Sequence, residues 1–349
     1  VTAKSTQADE GIAAGGREAV RATRAAAALA LALALALSAL CYYKWSASLR
    51  VYGGVQANGK LAIDPGMLVR GGPLAGTLAY FGKVWPALVF GIAIGAVVRA
   101  ALPPAWIART LGRRGLRGAL IGAAMGAPLM LCSCCVTPVF TGLYERGARL
   151  GSSLAVMLGA PGLNVAALAL TFALLPAKLA AARAAAAVVV VLGIPALLGR
   201  MDAGPRAKAE CAIAPEPTET ADFAARLVRS VGYLVAVTVP LVVVGAAAGA
   251  LALPYVDRVT GAGVVVTVAA VALVAVLVAL PTFFEIPIAL LLLSAGGPAG
   301  GALAVLVAGP VVNLPSLLVL GRETRPAIAA TLGLAVWAVA TLAGILVSM

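Results

Sequence analysis

The chain has 349 residues, 62% of them hydrophobic and only 11% charged, with a mean hydropathy of +1.04 and a net charge of +13. A soluble domain is typically about 45–50% apolar and about 25% charged, so the composition excludes a soluble enzyme and describes an all-α polytopic integral membrane protein of the cell inner (plasma) membrane. The basic residues lie between apolar runs rather than on an aromatic-interleaved face, so the positive-inside rule accounts for them and no nucleic acid is expected.

In chain order, residues 1–24 are polar and read as a disordered cytoplasmic N-terminus. Arg17, Arg21 and Arg24 precede an apolar run over 25–43. Leu40 before Cys41 is a poor cleavage signal, so this run is expected to stay as an extra transmembrane helix. Further apolar segments span 77–100, 118–143, 151–175, 184–199, 230–253, 263–295, 299–320 and 326–348. Two of them are interrupted, 118–143 by Pro128 and Pro138, and 263–295 by Pro281 and Pro287.

The interruptions belong to an internal repeat. An offset of 149 carries Pro138 onto Pro287, Pro161 onto Pro310 and Asn164 onto Asn313. Gly159–Asn164 and Ala308–Asn313 are thereby one element met twice. The expected organisation is a first transmembrane repeat over 77–199, a cytoplasmic linker over 200–225 rich in proline and mixed charge, and a second repeat over 226–349.

Basic residues discriminate between repeat orientations. If each proline-broken segment is a re-entrant hairpin, 18 basic residues fall inside and 7 outside, the outer set including Lys44, Lys178 and Arg183. If each segment crosses, the split becomes 14 against 11. The rule therefore favours inverted repeats with re-entrant segments. Interrupted segments at matching places in two halves are the sequence pointer to a midplane binding site in secondary transporters.

Cys132, Cys134 and Cys135 occupy the first interruption. A single membrane-helix cysteine is ordinarily a small hydrophobe. Three within four residues between two prolines are a candidate binding site, because thiolates select copper(I), zinc and similar thiophilic species. The chain contains no histidine, and three sulfurs fall short of the four ligands of a structural zinc site. No cofactor is expected, and the cysteines are read as ligands to a transported species. Glu285, the lone carboxylate deep in an apolar segment, sits at the second interruption. A charge there costs about 2.5–3.5 kcal/mol on insertion scales and is functional by default, so Glu285 is expected to carry a proton on the wall opposite the sulfur. Asn164 and Asn313 follow prolines at equal spacing, and serve either as caps of broken helices or as polar lining of the pathway.

Leu131–Pro138, Tyr144–Gly151, Gly159–Asn164 and the echo Ala308–Leu317 together resemble the permease family that includes ArsP-type organoarsenical efflux permeases. The resemblance covers roughly residues 75–349. It implies export of trivalent methylated or aromatic arsenicals, with cysteines of this motif binding arsenic. Cys135 stands where many members carry glycine, and a third thiol suits arsenite, another metalloid or a metal cation equally.

The function expected is a permease, not an enzyme, that exports a thiophilic metalloid or metal species, such as a trivalent organoarsenical or arsenite, by proton-coupled secondary transport. No G-x-x-x-x-G-K-[ST] sequence is present to bind ATP phosphates. The alternative is a membrane thiol–disulfide oxidoreductase that passes reducing equivalents across the bilayer. The expected partners are the small thiophilic substrate and the lipid bilayer.

Overall fold

The computed structural model describes residues 31, 34–35, 37–54, 72–102, 104–201, 220–252, 263–280, 283–294 and 296–349. The tail 1–24, linker residues 202–219 with Cys211, Pro281, Thr282 and the side chain of Lys83 lie outside the described residues, as do several leading positions of the 25–43 run. Among the described residues every regular element is helical.

The amino-terminal helix α1 covers 37–54 and thus continues beyond Tyr43. The first half comprises α2 (Gly72–Ala101), α3 (Pro104–Leu111), α4 (Gly115–Gly126), α5 (Ser133–Glu145), α6 (Leu150–Gly162), α7 (Val165–Leu174), α8 (Ala177–Val188) and α9 (Ile194–Leu198). A 3-10 turn, Ala127–Leu129, follows α4, and a π turn, Val189–Gly193, joins α8 to α9. The second half comprises α10 (Thr220–Ala252), α11 (Val264–Leu277), α12 (Glu285–Ser294), α13 (Ala299–Val311), α14 (Leu314–Glu323) and α15 (Pro326–Ser348). Among the described residues, five helical stretches are long and apolar enough to cross a membrane, and six if the pair α13–α14, bent by 41°, counts as one.

Small residues set the packing. A methyl group at Gly118 would overlap the Ser152 hydroxyl, one at Gly122 the Ser152 carbonyl, and one at Gly126 the Val156 carbonyl. These glycines recur every four residues along one face, so α4 lies against α6 backbone to backbone and runs in the same direction. Gly91 and Gly95 of α2 likewise meet the carbonyls of Cys135 and Pro138 in α5. In lipid, where apolar surface gains nothing by leaving the solvent, such close approach supplies the helix–helix attraction.

Polar contacts show which helix ends lie together. Arg99 Nε pairs with Glu145 Oε2 at 3.1 Å, and Arg146 donates to the carbonyls of Arg99 and Leu102. Arg149 donates through Nε to Gly112 O at 2.9 Å. The end of α2, the segment before α4, the end of α5 and the start of α6 therefore share one arginine-rich end. Tyr233 of α10 joins them, with the Arg99 guanidinium 4.0 Å from its ring centroid and its hydroxyl donating to Glu323 Oε1 of α14. At the opposite end the Gly300 amide donates to Ser348 Oγ, so the start of α13 meets the end of α15. Trp337 Nε1 donates to Ala269 O, and Gly344 faces Val268, so α11 begins at that same end.

Candidate functional site

Among the described residues, α5, α7, α12 and α14 begin in the interior, each just after a polar or left-handed residue. Before α5 the chain passes from the 3-10 turn through Met130, with φ of +48°, into extended Cys132. Before α12 it passes through Phe283, with φ of +74°. Among the described residues these two are the non-glycine positions with positive φ, one in each interruption. Such conformations cost of order 1–3 kcal/mol and persist where surrounding structure enforces them, often at functional sites. Here Met130 and Phe283 are both buried.

The other two starts are capped by the paired asparagines. Asn164 Oδ1 accepts from the Ala167 amide at 3.2 Å, and its Nδ2 donates to Met130 O at 3.5 Å. One side chain thus caps α7 and ties it to the cysteine-bearing break. Asn313 Oδ1 accepts from the Ser316 amide at 3.1 Å, while Ser316 Oγ accepts from the Asn313 amide. This reciprocal capping box starts α14 after Pro310 has interrupted α13. Asn313 Nδ2 is buried without a hydrogen-bond partner.

Cys132 caps the start of α5, and Cys134 and Cys135 fill its first turn. Sγ of Cys132 lies 2.7 Å from that of Cys135 and 3.2 Å from that of Cys134, and the last two are 3.7 Å apart. All three are free thiols, at most 4% exposed. The turn geometry explains the convergence. The amides of Cys135 and Val136 both bond back to the Cys132 carbonyl at 3.0 Å, which folds the two later sulfurs toward the first.

Glu285 opens α12 and is 1% exposed. Its Oε1 accepts from Arg183 Nη2 at 3.0 Å, and Arg183 Nη1 donates to Thr171 Oγ1. Arg183, counted above in the outer set of basic residues, is also 1% exposed and lies buried. The guanidinium reaches inward from α8, where the Glu285 carboxylate and the Thr171 hydroxyl both meet it. Arg183 and Thr171 are the site residues that sequence reasoning missed. The available signal was an arginine flanked by alanine runs and opposite in sign to the lone buried carboxylate.

The two clusters are linked through α7, whose capped start bonds to the cysteine break and whose Thr171 receives Arg183. A second link comes from α1. Lys44 is 3% exposed, and its Nζ sits 6.0 Å from the centroid of the Phe283 ring. Ser48 of the same helix donates to Ala166 O of α7.

A family model described as "Predicted permease" matches residues 74–349. UPF0718 protein YraQ of Escherichia coli (strain K12) is 34% identical over 255 residues, which cover 72% of this chain and 73% of that protein. UPF0718 protein MJ0584 of Methanocaldococcus jannaschii is 29% identical over 82 residues, 24% of this chain and 22% of its own. No solved structure matches.

Proposed function

The chain belongs to this predicted permease family and is a multi-pass plasma-membrane protein, and from that premise we propose that it exports a thiophilic metalloid or metal species by proton-coupled secondary transport. The observation that carries this reading is the convergence of three buried sulfurs within 3.7 Å at an interior helix start. Soft thiolates select soft cargo, and the family reading makes that cargo a transported one.

The transport frame is a pair of inverted repeats with re-entrant hairpins. Support comes from the helix ends: α4 begins and α5 ends at the arginine-rich end. In the second half α11 begins at the opposite end, where α12 leads through 295–298 into the start of α13. The arginine-rich end is then cytoplasmic by the positive-inside rule. Cargo is taken by the cysteines on one hairpin. A proton reaching Glu285 on the other neutralises the carboxylate and cancels its attraction for Arg183. The ion pair that spans the two halves is then released, and they are free to rock about the site.

Resistance of a metalloid-sensitive bacterial host tests the proposal. Wild type is expected to protect against at least one of arsenite, methylarsenite, antimonite, copper, zinc and cadmium, with Cys132→Ser and Cys134→Ser abolishing that protection. Protection against none, or undiminished protection by every cysteine variant, defeats it.

The oxidoreductase reading draws on one specific observation. Cys132 and Cys135 form a C-x-x-C pair at a helix start with sulfurs 2.7 Å apart. Its signature is a mixed disulfide between Cys132 and a thioredoxin-like partner, trapped in a Cys135→Ser variant. No adduct forms if the cysteines serve cargo alone.

A further inference from the structure

We infer that the three-thiol cluster takes an inorganic trivalent metalloid hydroxide, such as arsenous or antimonous acid, as a pyramidal tris-thiolate. The inference rests on the export reading and narrows its cargo.

Geometry is the first argument. Three sulfurs 2.7, 3.2 and 3.7 Å from one another on one helix turn can all reach a single centre with thiolate bonds of about 2.3 Å.

Valence is the second. A trivalent hydroxide exchanges three ligands: M(OH)3 + 3 RSH gives M(SR)3 + 3 H2O. Three M–O and three S–H bonds break, three M–S and three O–H bonds form, and nothing is oxidised or reduced. An organic derivative has one bond held by carbon and can use only two of the three buried thiols. Its substituent also needs room where Leu131, Val136 and Phe140 are wholly buried and the α2 backbone at Gly91 abuts the Cys135 carbonyl.

Charge is the third. The exchange is neutral and needs no base, in a chain without histidine whose Glu285 is engaged by Arg183. A divalent cation would instead have to expel the thiol protons into a buried site.

X-ray absorption at the arsenic edge on the purified full-length chain tests this. Arsenite is expected to show three sulfur neighbours, and phenylarsonous acid two sulfurs and one carbon. Cys135→Ser should lower the arsenite complex to two sulfurs and weaken its affinity by at least about tenfold, while leaving the phenyl compound unchanged. Two sulfurs around arsenite in wild type, or phenylarsonous acid bound while arsenite is not, overturns the inference and leaves export of organic arsenicals standing. If neither compound binds, both this inference and metalloid export fall. The wild-type coordination number decides the matter even if Cys135→Ser does not fold.

Discussion

Removing either partner of the Arg183–Glu285 pair leaves a charge in the membrane interior without its counter-ion. Breaking a buried pair in this way costs about 3–5 kcal/mol, whereas replacing both partners by apolar residues is often close to neutral. Arg183→Met and Glu285→Leu are each expected to lower the melting temperature in detergent sharply. The double variant should recover most of that loss and remain inactive in transport. A double variant as unstable as the worse single one would show that the pair is not the coupled unit described. At this scale the sequence was half legible. Glu285 stood out because no other carboxylate lies so deep, and the cysteines because of their spacing. Arg183 did not, because a basic residue five positions after Lys178 also fits a helix end, and only the tertiary fold turns it toward α12.

Among elements, the broken helices follow from local rules while their mutual seating does not. Pro161 and Pro310 remove backbone donors, and Asn164 and Asn313 restart the helices by accepting from amides three residues on. Substituting an N-cap by alanine costs about 1 kcal/mol. Asn313→Ala should cost more than that, because Ser316 loses its reciprocal partner in a fully buried site. Thermal unfolding of the two alanine variants side by side measures the difference. Seating depends on glycine. A side chain at Gly91 would lie 1.9 Å from the Cys135 carbonyl oxygen, so Gly91→Ala must push α5 off α2 and disturb the sulfur triangle. Cargo affinity is expected to fall even though position 91 touches no sulfur, and arsenite titration of the variant tests this. Glycines are frequent throughout membrane helices, so nothing in the sequence distinguished Gly91 from its neighbours.

At the scale of the molecule, the proposed duplication rests on the offset of 149, because proline and asparagine are too constrained to recur together by accident in an alanine-rich chain. The proposed re-entrant orientation rests on charge counting, and it yields an experiment. Lys178 and Arg114 are both exposed. In a background free of other cysteines, Lys178→Cys should react with an impermeant maleimide from outside and Arg114→Cys only after the membrane is opened. Labelling of Lys178→Cys from the cytoplasm alone would favour full crossings and parallel halves.

The helix 37–54 lies ahead of the region shared with the family, yet it brings the Lys44 ammonium to the Phe283 ring and a hydroxyl to α7. A chimera that carried residues 74–349 behind another amino-terminal segment would keep the three clustered cysteines and lose the cation beside Phe283. Replacing helix 37–54 is thus a way to change the surroundings of Phe283 without altering any residue of 74–349.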